Sequence, residues 1–118
     1  ISMSMLSSSL LLIFIVAFTS GSPAPCTGCK CCTSSMITIT TTGAGAHPFT
    51  SDTINTNGAC AVRTLICSGN DVNVEFNVEG GVMIDPTQVT VDLTCNSAGT
   101  AWEHASAPGL AITRLECA

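Results

Sequence analysis

The run Cys60-Ala61-Val62-Arg63-Thr64-Leu65-Ile66-Cys67 constrains this chain most, because a cysteine closes each end of a strand-like stretch rich in β-branched residues. Alternate residues of a strand face opposite sides, so Cys60 shares a face with Val62, Thr64 and Ile66, while Cys67 shares the other with Ala61, Arg63 and Leu65. The two sulfurs point apart. A seven-residue extended span covers roughly 23 Å, whereas a disulfide requires Cα atoms about 5.5–6 Å apart. Each cysteine must therefore take a different and distant partner.

Cross-links of this kind belong to an oxidising compartment. Leu10 to Phe18 (LLLIFIVAF) is apolar and leads into the small residues Thr19-Ser20-Gly21, followed by Ser22-Pro23-Ala24-Pro25. A bilayer span requires about 20 apolar residues, so this block is too short to cross. It reads as a signal peptide over residues 1–21, removed on secretion, after which no membrane insertion is expected. The segment lacks Lys and Arg and opens at Ile1 rather than Met, which fits a leader missing its first few residues. Residues 22–35 then hold a dense cysteine cluster, and residues 36–118 the folded domain. A secreted domain of about 100 residues usually depends on staples. The net charge is −5, with Lys30, Arg63 and Arg114 the only basic residues. Nucleic acid requires clustered positive charge, so it is not an expected partner. No Asn has a Ser or Thr two residues on, and N-glycosylation is not expected.

Cys26 to Cys32 (CTGCKCC) is too dense to be a regular element, and Met36 to Thr42 (MITITTT) alternates as a half-buried strand with Ile37 and Ile39 inward. Gly43 to Pro48 breaks it, Ser51 to Thr56 reads as a short edge strand, and Asn57-Gly58 turns the chain toward Cys60. Val72 to Glu79 places Val72, Val74, Phe76 and Val78 inward, with Asn73, Glu75, Asn77 and Glu79 outward. Gln88 to Cys95 repeats the pattern with Val89, Val91, Leu93 and Cys95 inward. Further short strands surround Val82-Met83-Ile84, Trp102 and Leu110 to Cys117. No helical period persists. Short strands separated by turns predict a small disulfide-stapled antiparallel β-sandwich, immunoglobulin-like in general architecture. Leu65-Ile66-Cys67, Leu93-Thr94-Cys95 and Leu115-Glu116-Cys117 each place a cysteine beside an inward Leu at a strand's end.

The CxxC pair Cys29 and Cys32, the strand MITIT, NGACAVRTLIC, DLTCNSAGTAW and the terminal AITRLEC together resemble the C6 domain, an extracellular module of nematode proteins whose function is not established. The resemblance spans about residues 29–118. It implies that the six family cysteines are Cys29, Cys32, Cys60, Cys67, Cys95 and Cys117. Some family members lack the first and third cysteines together, which implies a Cys29–Cys60 bond. If Met36 to Thr42 runs antiparallel to the central strand, Cys32 lies near Cys67. Strands ending at Cys95 and Cys117, with one reversal between them, likewise end at one level. The expected pairing is thus Cys32–Cys67 and Cys95–Cys117, among the 105 that eight cysteines allow. Cys26 and Cys31 depart from the family pattern and are left to pair with each other or with another molecule.

Chemistry-bearing residues are few. Cys26, Cys29, Cys31 and Cys32 have the bite of a zinc site, but a second C-x-x-C pair is missing and secreted cysteines are usually oxidised. No metal or other cofactor is expected. A redox pair would want a helix N-terminus, and this cluster precedes a strand. His47 and His104 are the only histidines, no G-x-S-x-G elbow accompanies them, and isolated surface histidines explain both. Asp71, Glu75 and Glu79 lack calcium-loop spacing and fit a solvated sheet face. Trp102 is expected in the core. The reading is a secreted structural or protein-binding module, not an enzyme, with an extracellular protein as partner. A secreted inhibitor or host-defence protein, or a metal-binding Cys cluster, stands as the alternative.

Overall fold

Strict alternation of apolar and polar residues forces a strand to lie with one face on a core, and two stretches obey it fully. Gln88–Cys95 alternates exposed and buried at every position, and Val72–Phe76 buries Val72, Val74 and Phe76. In the computed structural model, which describes residues 25–77 and 80–118, eight strands form: β1 (Thr38–Thr40), β2 (Ser51–Asn55), β3 (Val62–Ser68), β4 (Val72–Phe76), β5 (Val82–Asp85), β6 (Gln88–Cys95), β7 (Trp102–His104) and β8 (Arg114–Cys117). They make two four-stranded sheets, ordered β1-β8-β4-β5 and β2-β3-β6-β7. The expected leader lies outside the described residues, as do Val78 and Glu79.

Between the sheets sits one apolar core. Leu65, Leu93 and Leu115, the three leucines two residues before a cysteine, are all fully buried, together with Trp102 and Ile112. Burying an indole leaves its N–H in need of an acceptor; Trp102 Nε1 donates to the Thr33 carbonyl at 2.9 Å. That bond ties β7 to the segment leading into β1. The all-β sandwich expected from the strand pattern is the fold observed, with one parallel pair, β1 on β8, among antiparallel ones.

That parallel pair corrects two expectations. Met36 to Thr42 is not one strand: Ser34–Met36 forms a 3-10 turn, and only Thr38–Thr40 pairs, beside β8 and not beside β3. Ile37 is buried as expected, but Ile39, on the outermost strand, stays 36% exposed. The second correction concerns the cross-links. The disulfides are Cys26–Cys31, Cys29–Cys60, Cys32–Cys95 and Cys67–Cys117. Cys32–Cys67 and Cys95–Cys117 do not form, because β3 and β6 run antiparallel with Cys67 opposite Val89 and Val62 opposite Thr94. Cys67 and Cys95 therefore lie at opposite ends of the sandwich, and each bonds the cysteine at its own end. Cys67–Cys117 crosses from β3 to β8 and so joins the two sheets covalently.

Strand ends also differ from the alternation. β4 stops at Phe76, and Asn77 adopts a positive φ of 52°, which Asn tolerates better than most residues. Its side chain does not stand outward on a strand. Oδ1 accepts from Thr113 N (2.8 Å) and Arg114 N (3.2 Å), while Nδ2 donates to Ala111 O at 3.1 Å. Asn77 thus sets the register at which β8 enters its sheet. The first strand beside the cysteines begins at Val62 rather than Cys60, and β2 ends at Asn55.

Arg63 shares the core face of β3 with Ala61, Leu65 and Cys67, and is only 2% exposed. Guanidinium burial is tolerated when its donors are all met. Arg63 Nε and Nη2 bond both oxygens of Asp52 at 2.8 and 2.7 Å, and Nη1 donates to Ser34 O at 3.0 Å. Asp52 on β2 lies opposite Leu65 and hence on the same face. Among the described residues no buried side-chain nitrogen or oxygen lacks a partner.

Candidate functional site

The outer face of the β2-β3-β6-β7 sheet is built from the residues that alternation turns away from the core. Pairing places Ser51, Ile66 and Thr90 in one row, Thr53, Thr64 and Asp92 in the next, and Asn55, Val62, Thr94 and Glu103 in a third. Thr64 donates to Asp92 Oδ1 at 2.7 Å. Glu103 accepts from Gly109 N at 3.1 Å, which fastens the loop after β7 to the sheet margin. Beside that margin lies a groove of about 260 Å³ lined by Asp92, Thr94, Cys95, Glu103, His104, Ala105 and Pro108. Small-molecule sites usually occupy about 300–1,000 Å³ of enclosed space, so this groove suits a side chain of a partner better than a whole ligand. No basic residue stands on this face: Lys30 is in the cysteine cluster, Arg63 faces the core and Arg114 belongs to the other sheet. The surface offers hydroxyl and carboxylate acceptors.

His104 and Ser106 approach within 2.6 Å (Nδ1 to Oγ), and Ser106 N donates to the same Nδ1 at 3.1 Å. A nitrogen that accepts a backbone N–H two residues away closes a turn. The imidazole also tilts against Phe76, with ring centroids 5.3 Å apart, so the side chain packs at the sandwich rim. His47 sits in the loop before β2, and its backbone N–H donates to Cys117 O at 2.9 Å. Its Nδ1 lies 3.0 Å from Pro48 O and 3.6 Å from Cys117 Sγ. His47, Cys67 and Cys117 converge as a metal site would, but the two sulfurs are bonded to each other. They offer no thiolate, and thiolate is the metal ligand. The same holds for Cys26, Cys29, Cys31 and Cys32, each of which is in a disulfide.

Of the three acidic residues read as one solvated face, Asp71 sits in the turn before β4 with a φ of 52°, Glu75 pairs with Arg114 at 2.9 Å, and Glu79 lies outside the described residues. Sequence reasoning passed over a different carboxylate. Glu116 is 7% exposed and accepts from Thr40 Oγ1 (2.7 Å), Thr42 N (3.0 Å) and Gly43 N (3.2 Å), with Arg114 Nη2 at 3.5 Å. A Cβ on Gly43 would overlap this carboxylate, so a side chain there would displace the Glu116 carboxyl from its present position. The available signal was an acid between two buried residues in the repeated Leu-x-Cys pattern.

Acceptance of the Thr40 hydroxyl, and then of the Thr42 and Gly43 N–H groups beside the Arg114 charge, holds the Glu116 carboxyl below its ordinary value against the opposing effect of burial. The Gln88 and Thr87 N–H groups do the same for Asp85, which caps the β5–β6 turn. With folded values below unfolded ones, the unfolded chain binds more protons in the interval, so stability falls as pH falls. The contribution is complete above about pH 5.5, where unfolded carboxyls are ionised, and is lost as pH drops through the lower folded values. Melting midpoints measured across the acid range should therefore decline in that window, and less steeply for Glu116→Gln. A variant with the wild-type acid profile would show that Glu116 carries none of this linkage.

Among the described residues, no helix is long and apolar enough to cross a membrane. The family model of the C6 domain matches residues 32–117. The Caenorhabditis elegans protein named Uncharacterized protein R07B1.7 is 39% identical over 98 residues, which cover 79% of this chain and 66% of that relative. No solved structure matches.

Proposed function

We propose, from the premise that this chain belongs to the C6 domain family, that it is a secreted, non-catalytic extracellular module that binds a protein through the outer face of its β2-β3-β6-β7 sheet. The observation that carries this reading is the array of Thr53, Thr64, Thr90, Asp92, Thr94 and Glu103 on one sheet face free of Lys and Arg. Such a face recognises a partner rich in hydrogen-bond donors, among them basic side chains that would reach Asp92 and Glu103 beside the groove. Four disulfides support export to an oxidising compartment, and the apolar block Leu10 to Phe18 supports a cleaved leader.

The test expresses the full chain in secreting cells, identifies its N-terminus by mass spectrometry, and compares capture of extracellular proteins by the wild type and by Thr64→Lys/Asp92→Lys. The expected result is a product lacking Leu10 to Phe18, with a captured protein that the variant loses while keeping the wild-type melting midpoint. A cell-retained product, or capture untouched by the double substitution, would overturn the reading. So would a turnover activity abolished by His47→Ala or His104→Ala in a folded protein.

A further inference from the structure

The turn between β2 and the Cys60 cross-link carries chemistry that neither sheet uses. Asn57 and Gly58 are both exposed there. Imide closure at an asparagine requires a carboxamide free to turn back on the chain and a following nitrogen with no side chain in the way. Every other asparagine fails on one count or both. Asn55 Oδ1 accepts from Asn57 N at 2.8 Å, and the next residue is the β-branched Thr56. Asp71 N, the nitrogen after Asn70, is committed to Pro86 O at 2.8 Å. Asn73 stands within β4, Asn77 is held by Ala111, Thr113 and Arg114, and the Asn96 carboxamide is bonded to Thr100 and Ala101. Among the described residues, nothing bonds either the Asn57 carboxamide or the Gly58 N–H.

We propose that Asn57 is a site of spontaneous deamidation, with water as the only co-reactant. Gly58 N attacks Asn57 Cγ: the N–Cγ bond forms, the Cγ–Nδ2 bond breaks, and ammonia leaves with the proton that the Gly58 nitrogen gives up. Water then opens the cyclic imide at either carbonyl. The product is aspartate, or isoaspartate with the main chain rerouted through Cγ. The fold pins both flanks. Asn55 pairs with Val62 at the end of β2, and Cys60 is bonded to Cys29, so the extra backbone atom of isoaspartate is absorbed within the loop. One carboxylate is added to a chain of net charge −5, just beyond the row of Asn55, Val62, Thr94 and Glu103. That face gains negative charge at its margin as the protein ages. Nor does the backbone require glycine at this point, since a Cβ on Gly58 would meet only Cys60 O, at an ordinary 3.9 Å.

The test incubates the full chain, disulfides intact, at neutral and at mildly alkaline pH and maps its peptides by mass spectrometry, with enzymatic methylation of isoaspartate as a second readout. Conversion is expected at Asn57 before any other asparagine, with both isomers formed, and faster at the higher pH. Gly58→Ala, which keeps the backbone and shields the attacking nitrogen, should slow it about tenfold or more, and Asn57→Gln should remove it. Both variants should keep the wild-type far-ultraviolet circular dichroism, and Gly58→Ser replaces an alanine variant that loses it. The native rate should lie within a few-fold of that of the reduced, unfolded chain. Earlier conversion of another asparagine, indifference to the substitution at Gly58, or a native rate far below the unfolded one would each overturn the proposal. Partner capture enters none of these readouts, so they are independent of the binding face assigned above.

Discussion

Replacing Cys67 and Cys117 together with alanine is expected to leave the domain unfolded or close to it. The bond spans 50 residues of sequence, and closing a loop of that length restricts the unfolded chain by about 4 kcal/mol. Small domains have about 5–15 kcal/mol in all, and this bridge is also the covalent joint between the two sheets. The same scaling gives about 2 kcal/mol for Cys26–Cys31, whose separation is 5 residues. Urea denaturation of the two double variants should rank them in that order by a wide margin. Equal midpoints would show that the inter-sheet bond does not hold the sandwich together.

Asp52→Ala is expected to destabilise more than Arg63→Met, although the two substitutions break the same ion pair. The Arg63 side chain is 3% exposed and that of Asp52 34%. Removing Asp52 strands a guanidinium inside the protein, while removing Arg63 leaves a carboxylate that can reach water. Losing one partner of a fully buried pair costs about 3–5 kcal/mol, chiefly because the other charge is left buried and uncompensated. With solvent reaching Asp52, about 2–3 kcal/mol is expected for Asp52→Ala and about 1 kcal/mol for Arg63→Met. The reverse order in equilibrium denaturation would mean that water reaches Arg63 too.

These residues mark what the sequence could and could not convey. Alternation in β4 and β6 was legible because one face is wet and the other dry, and the three Leu-x-Cys endings identified core positions correctly. The same alternation placed Arg63 on the face of Leu65 and Cys67, which leaves the question of what pairs a guanidinium there. The partner that decides the question, Asp52, is on another strand. β1 was overextended because its parallel neighbour β8 lies at the far end of the chain, where no local pattern announces it. The pairing of Cys32, Cys67, Cys95 and Cys117 depended on that missing neighbour. Asn77 fits the period of a strand and yet leaves it, since what holds it is the backbone of residues 111 to 114. The hydroxyl face of the second sheet was visible residue by residue as outward threonines. Its assembly into rows required the register.

The cross-links also decide how the domain would bear tension. β1 lies inside the loop closed by Cys29–Cys60, and β8 ends at Cys117, which is bonded to Cys67. A pull on the two ends would pass from Cys29 to Cys60, along the chain to Cys67 and across to Cys117, leaving the parallel β1–β8 pair unloaded. Most of that span is β3, a strand already extended, roughly 23 Å at full stretch. The module would behave under load as a stiff link with almost no travel.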